Sequence, residues 1–150
     1  MADIKEDEQI TAQQELQQSV MYLEFLKEQI SALKDQFEIL DLAIKEHNQA
    51  IATLKDFGDL DKNNEVLVPI GADSLVYAKV TDQSNVILNI GAGLAIEDNI
   101  DEAISKLTNR IEKIEENKNK IMNAIDNLQQ QATMLTSSIE EKYVEIQKKQ

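Results

Sequence analysis

Every residue that stops a helix outright falls in one window of this chain. The single proline, Pro69, and all four glycines, Gly58, Gly71, Gly91 and Gly93, stand between residues 58 and 93. The flank on each side runs for roughly 50 residues without Gly or Pro, several times the length of an ordinary helix. A chain of this kind has few options. Two long helical arms must be joined by a short segment of another kind.

Both arms carry the apolar repeat of a coiled coil. In the first, Leu16, Leu23, Ile30, Phe37, Ile44 and Ile51 form an a line, and Ser19, Leu26, Leu33, Leu40, His47 and Leu54 form the d line. In the second, the a line is Ile104, Ile111, Lys118, Ile125, Ala132, Ile139 and Ile146. Its d line is Leu107, Ile114, Ile121, Leu128, Leu135, Lys142 and Lys149. A seven-residue period keeps one seam turned toward a partner helix. The first arm is expected over residues 8–57, ending where Gly58 suits the left-handed residue that closes a helix. The second is expected over residues 99–149, opened by a capping box of Asn99 with Glu102. Each arm is ~75 Å long at 1.5 Å per residue.

Residues 65–97 read as four strands: 65–68, 75–80, 86–90 and 94–97. They are rich in Val, Ile and Leu and are separated by turn residues at 69–74, 82–85 and 91–93. Two successive hairpins are the simplest arrangement. Four strands this short bury little by themselves, so neighbouring chains are expected to complete the sheet. Since the strands return the chain, the arms should fold back as an antiparallel coiled coil. Facing residues then have numbers that sum to roughly 157, the estimate that places Phe57 near Asn99. Leu16 faces the region of Glu141 on this count, Phe25 faces Ala132, and both chain ends lie away from the strands.

Composition narrows the class further. Aromatic residues are 4% and charged residues 29%, enough apolar material for a helix seam but little for a bulky core. The net charge is −13, with −7 on residues 1–57, −5 on 58–99 and −1 on 100–150. Without a basic stripe, neither nucleic acid nor an anionic membrane surface is an expected partner. The chain has no Cys, which removes disulfide and thiol chemistry. Its acidic start does not read as a signal peptide and no stretch approaches a membrane span, so a cytoplasmic location is expected.

No enzyme is expected. His47 is the sole histidine and sits at a d position, where a polar side chain fixes register. As a metal ligand or general base it has no companions at a useful spacing. Lys118, at an a position, is expected to run its stem along the seam and reach an acidic neighbour such as Asp41. Gly91-Ala92-Gly93 lacks the Lys and Ser/Thr of a phosphate loop and reads as a hairpin turn. No cofactor is implied. More informative are apolar residues off the seams: Val20, Met21, Tyr22 and Phe25 in the first arm, with Met134, Tyr143 and Val144 in the second. Both groups fall in the outer part of the coiled coil, where exposed apolar patches mark interaction surfaces. Ile39 and Leu42 are also off-seam, nearer the middle.

Two heptad arms around Val66-Leu67-Val68-Pro69-Ile70-Gly71, Leu75-Val76-Tyr77-Ala78-Lys79-Val80 and Val86-Ile87-Leu88-Asn89-Ile90-Gly91-Ala92-Gly93-Leu94-Ala95-Ile96-Glu97 resemble the α-type subunits of prefoldin. Four strands fit the α type, since the β type has one hairpin. The short length without extensions looks more archaeal than eukaryotic. The resemblance implies an α+β fold, a long antiparallel coiled coil with two inserted hairpins that build an oligomeric β-barrel. It implies a chaperone without ATPase, in which two α-type and four β-type subunits assemble through their strands. The coiled-coil tips of that assembly hold unfolded proteins and deliver them to a group II chaperonin. On this sequence the assembly role falls to Val66, Val68, Leu75, Tyr77, Val80, Val86, Leu88 and Ile90. The client-holding role falls to Leu16, Val20, Met21, Phe25, Met134, Leu135, Ile139, Tyr143 and Val144. The competing reading is a structural coiled-coil tether whose hairpins only oligomerise it.

Overall fold

The computed structural model describes residues 2–148, with side chains from residue 7. Six elements follow in order: α1 (Ala2–Gly58), β1 (Glu65–Gly71), β2 (Ser74–Lys79), β3 (Asn85–Gly91), β4 (Leu94–Asn99) and α2 (Ile100–Lys148). Lys149, the last expected d position, lies outside the described residues. The helix α1 starts six residues earlier than expected, because nothing upstream of residue 8 breaks it and acidic side chains suit a helix N-terminus. Two compact units are distinguished, one formed by α1 up to Asp41 with α2 from Asn117, the other by Leu42–Glu116.

In the first unit the heptad seam is what is covered. Leu26 and Ile125 are buried, and Leu16, Leu23, Ile30, Leu33, Phe37 and Leu40 are half-buried, as are Ile121, Leu128, Leu135 and Ile139. Lys142 Nζ lies 3.3 Å from Glu15 Oε2, and Lys118 Nζ donates to Asp41 Oδ1 at 2.6 Å. The residue numbers of these pairs sum to 157 and 159. The helices therefore run antiparallel here, within two residues of the register expected from placing Phe57 near Asn99. Lys118 also places its ammonium 4.6 Å from the Phe37 ring centroid. Its charge is thus held by a carboxylate and an aromatic face at once, which favours one register over its neighbours.

The second unit has its own core. Leu88, Ala103 and Leu107 are buried together, with Ile51, Leu54, Val86 and Ile96 packed against them. Residues of α1, α2 and the β3–β4 hairpin all contribute. Lys106 Nζ donates to Asp98 Oδ2 at 2.7 Å and Arg110 Nη2 to the Asn89 carbonyl at 2.6 Å, tying that hairpin to the first turns of α2. At the start of α2, Asn99 Oδ1 accepts from the Glu102 N–H at 2.9 Å, the expected N-cap bond.

Gly58 departs from expectation. It is the last residue of α1 and is not among the residues of positive φ. The helix closes instead with tight turns, Asp59 N–H to Asp56 O and Leu60 N–H to Phe57 O, both at 3.2 Å. Its surroundings are close but can yield, since the nearest atom is the end of a flexible side chain. A Cβ at this position would stand 3.3 Å from Ile100 Cδ1.

The strands form two separate antiparallel hairpins, β1–β2 and β3–β4. The expected break at 69–74 is much shorter, since pairing persists to Gly71↔Ser74 and only Ala72 and Asp73 lie outside it. Both have positive φ, 48° and 56°. The second hairpin repeats this with Ala92 and Gly93 at 51° and 73° between Gly91↔Leu94. These are two-residue turns with both central residues left-handed, the form whose twist matches paired strands. Each follows a register shift at Gly71 or Gly91, whose φ values of 101° and 103° only glycine adopts freely.

The parallel extends further. Val66 to Gly71 matches Val86 to Gly91 at an offset of 20 residues, and Ala72 matches Ala92. The first strands of the two hairpins thus share a pattern, with Val, Ile, Gly and Ala identical, and both hairpins share one pairing register. This internal repeat is visible in the sequence itself.

Candidate functional site: two exposed apolar surfaces

The first surface lies on the hairpins. Within β3–β4, alternate residues separate cleanly. Val86, Leu88, Ile96 and Asp98 share the face turned to the core, while Ile87, opposite Glu97, is 78% exposed. The first hairpin pairs Leu67 with Tyr77 and Val68 with Val76. All four are exposed, Tyr77 to 79%. Its repeat-equivalent positions therefore behave differently: Leu88 is 9% exposed where Val68 is 40%. The second hairpin covers one face with α2, and the first leaves both faces largely open.

Of the strand residues singled out from sequence, Val68, Leu75, Tyr77 and Ile90 are exposed. Val66 and Val86 are half-buried. Val80 and Leu88 belong to the interior of the protomer: Leu88 packs on Ala103 and Leu107, and Val80 is buried just past β2, where its N–H bonds to Asn64 O. Neither side chain is free to meet another chain. Leu67, Ile70, Val76, Ile87 and Leu94, which the sequence reading leaves out, are exposed instead. Period-2 alternation puts Leu67 with Tyr77 on one face and Val76 with Val68 on the other, so it separates the two faces without saying which is covered.

The second surface lies in the first unit. Val20, Met21, Phe25, Met134, Tyr143 and Val144 are all exposed, Met21 to 64% and Met134 to 74%. Leu16, Leu135 and Ile139 are half-buried in the seam beneath them. The Tyr22 and Phe25 rings stack with centroids 6.1 Å apart and 19° between planes, so they present one joint apolar face. Ile10, outside the expected set, is also exposed.

His47 is half-buried and its Nδ1 lies 2.7 Å from the Ala43 carbonyl. A carbonyl only accepts, so Nδ1 carries the proton. The side chain is satisfied by its own helix, four residues back. Among the described residues no group of three or more His, Asp or Glu is placed to hold a metal, and no helix is long and apolar enough to cross a membrane. Asp82 lies in the loop between the hairpins, where its carboxylate accepts from the Ser84 N–H at 2.8 Å. The Ser84 N–H, with the Asn85 side chain next in importance, holds it below the usual carboxylate range. These bonds shape the loop between the hairpins.

Comparison with known proteins agrees with this arrangement. A family model described as prefoldin subunit matches residues 26–145. A prefoldin subunit alpha of Methanopyrus kandleri is 37% identical over 77% of this chain and 72% of its own. One from Pyrococcus horikoshii is 32% identical over 91% of this chain and 90% of its own. Among solved structures, filamentous PFD from Methanocaldococcus jannaschii superposes with a TM-score of 0.70 at 27% identity, covering 77% of this chain and 95% of that one. The prefoldin beta subunit of a Thermococcus strain shares the fold at a TM-score of 0.55 and 19% identity, over 85% and 90% of the two chains. With paired heptad helices, two hairpins and a match over most of its length, the chain belongs to the prefoldin family of chaperone subunits, and to its α type.

Proposed function

We propose that this chain is the α-type subunit of an ATP-independent cytoplasmic chaperone, acting as one prefoldin-like domain. Its hairpins join β-type subunits, two α-type with four β-type. The exposed apolar residues of its first unit hold unfolded proteins for transfer to a group II chaperonin. One observation carries the reading: among the described residues the large exposed apolar side chains, Leu42 apart, lie on the hairpins or on the helices of the first unit, the Tyr22–Phe25 stack among them.

The hairpin surface supports the assembly half. Strands with open edges and apolar side chains on both faces are unstable in water unless something covers them. On the first hairpin Leu67, Val68, Leu75, Val76 and Tyr77 await such cover. Assembly would also explain how the hairpins keep their register when only seven apolar side chains are buried among the described residues.

The helix surface supports the client half. A flexible thioether and an aromatic pair adapt to varied apolar segments. Each contact is weak, and several subunits binding one client raise the effective concentration enough for firm yet reversible capture. The experiment replaces Met21, Phe25 and Met134 by Ser in the assembled complex and measures suppression of aggregation of a denatured protein. The expected result is that roughly tenfold more complex is needed for equal protection, since removing three apolar contacts from each tip exceeds 1.4 kcal/mol. Undiminished protection would remove these residues from the client site.

A further inference from the structure

We propose that one flank of the helix pair in the first unit is a lane for an extended, uncharged segment of an unfolded polypeptide, continuing inward from the Tyr22–Phe25 stack. This rests on the client-binding reading above and goes beyond it, because it places a second length of contact along the helices. The charges reveal the lane. All six charged side chains of α1 between Gln18 and Ile39 (Glu24, Lys27, Glu28, Lys34, Asp35 and Glu38) occupy b, e or f positions of the heptad. The c positions over the same span are Gln18, Phe25, Ala32 and Ile39, and the g positions are Tyr22, Gln29 and Gln36. All of these are exposed. None carries a charge, in a chain where 29% of residues do.

In an antiparallel pair the g flank of one helix lies beside the g flank of the other. On α2 that flank offers Ala124, Gln131 and Ser138 at g, with Asn127 and Met134 at c. Lys120, near its inner end, is its one charged side chain between Asn117 and Ser138. A groove lined by Gln18, Ser19, Tyr22 and Leu135 lies on this flank, and the Glu15–Lys142 ion pair stands at its outer end. Ile39, 66% exposed and without a role in the seam, becomes the inner anchor of the lane.

The chemistry selects the occupant. A flank whose one charged side chain is Lys120 gives a nucleic acid or a highly charged peptide little to pair with. A second copy of this chain would bring another −13 against the first. An unfolded segment fits on both counts. Its apolar side chains meet Phe25, Met134 and Ile39, while its backbone amides meet Gln29, Gln36, Asn127 and Gln131, which donate and accept alike. Phe25 and Ile39 are 14 residues apart, or ~21 Å along a helix, the span of about six residues of extended chain.

The test places a photo-crosslinking side chain singly at Gln29, Gln36, Glu28, Asp35 and Met134 in the assembled complex. The probe is reduced, carboxymethylated α-lactalbumin, which is permanently unfolded and acidic, so charge attraction does not drive its capture. Unchanged helix content by circular dichroism confirms that each variant folds. The expected result is crosslinking at Gln29, Gln36 and Met134 that exceeds that at Glu28 and Asp35 by roughly tenfold. Crosslinking at Met134 with none at Gln29 and Gln36, or equal yields on both faces, overturns the lane and leaves the client-binding reading standing. Absence of crosslinks at Met134 as well overturns both. Crosslinks joining two copies of this chain through Gln36 would make the flank a subunit interface and refute the lane.

Discussion

Ala72 and Ala92 hold φ values of 48° and 51°, a conformation that a β-carbon makes costly by roughly 1–2 kcal/mol. Both sit at the first central position of a two-residue hairpin turn, where the strand twist demands left-handed backbone. Glycine removes that strain but gives up unfolded-state restriction worth about 0.5–1 kcal/mol. Ala72→Gly and Ala92→Gly should therefore each stabilise the chain by about 0.5–1 kcal/mol, read as a shift in the denaturant midpoint. A loss of stability would contradict the turn geometry. Asp82 makes a second prediction at this scale. Its carboxylate accepts from the Ser84 N–H at 2.8 Å and from the Asn85 N–H at 3.2 Å, and its pKa falls below the ordinary 3.8. A depressed folded pKa means the loop gains stability from the carboxylate fully above pH 3.8 and loses it as pH drops through the folded value. Protection of the Ser84 and Asn85 amides, taken relative to their intrinsic exchange rates, should fall only below pH 3.8. Titration of Asp82 at its ordinary value in a carboxyl NMR experiment would contradict this.

Gly58 separates what an element reveals in sequence from what it conceals. The seams were legible because the heptad is a repeated, redundant signal. Leu16 through Leu54 and Ile104 through Ile146 line up on it, and Lys118 meets Asp41 as its position predicts. A single glycine carries no such redundancy. At a helix end, a glycine in left-handed backbone and one in helical backbone look alike in sequence, and here the backbone is helical. The substitution Gly58→Ala distinguishes them by sign. Left-handed backbone would make alanine costly by about 1 kcal/mol. Helical backbone lets alanine gain up to about 0.5–1 kcal/mol, provided the Ile100 δ-methyl yields a few tenths of an ångström. That methyl is the end of a flexible side chain, so Gly58→Ala should be neutral to stabilising in thermal unfolding. The hairpin faces were illegible for another reason. Val68 and Leu88 are equivalent in the repeat, and only the packing of β3–β4 on α2 makes one exposed and the other buried.

That inequality between equivalent positions divides the work of the whole chain between folding and assembly. Leu88 packs on Ala103 and Leu107, so Leu88→Ala should unfold the subunit at lower temperature, at a cost of about 2–5 kcal/mol, whether or not partners are present. Val68 and Val76 face each other across the first hairpin at 40% and 42% exposure, with no such helix cover. Replacing both by Asp removes little burial from the isolated chain. In an assembly that covers them it introduces two desolvated carboxylates. The double variant V68D/V76D should therefore keep wild-type helix content alone yet fail to sediment as a complex with β-type subunits. Leu88→Ala should still assemble below its own melting point. If V68D/V76D unfolds the isolated chain, the first hairpin is packed within the protomer after all. If it assembles normally, subunits meet through some other surface, and the open face of that hairpin requires a different explanation.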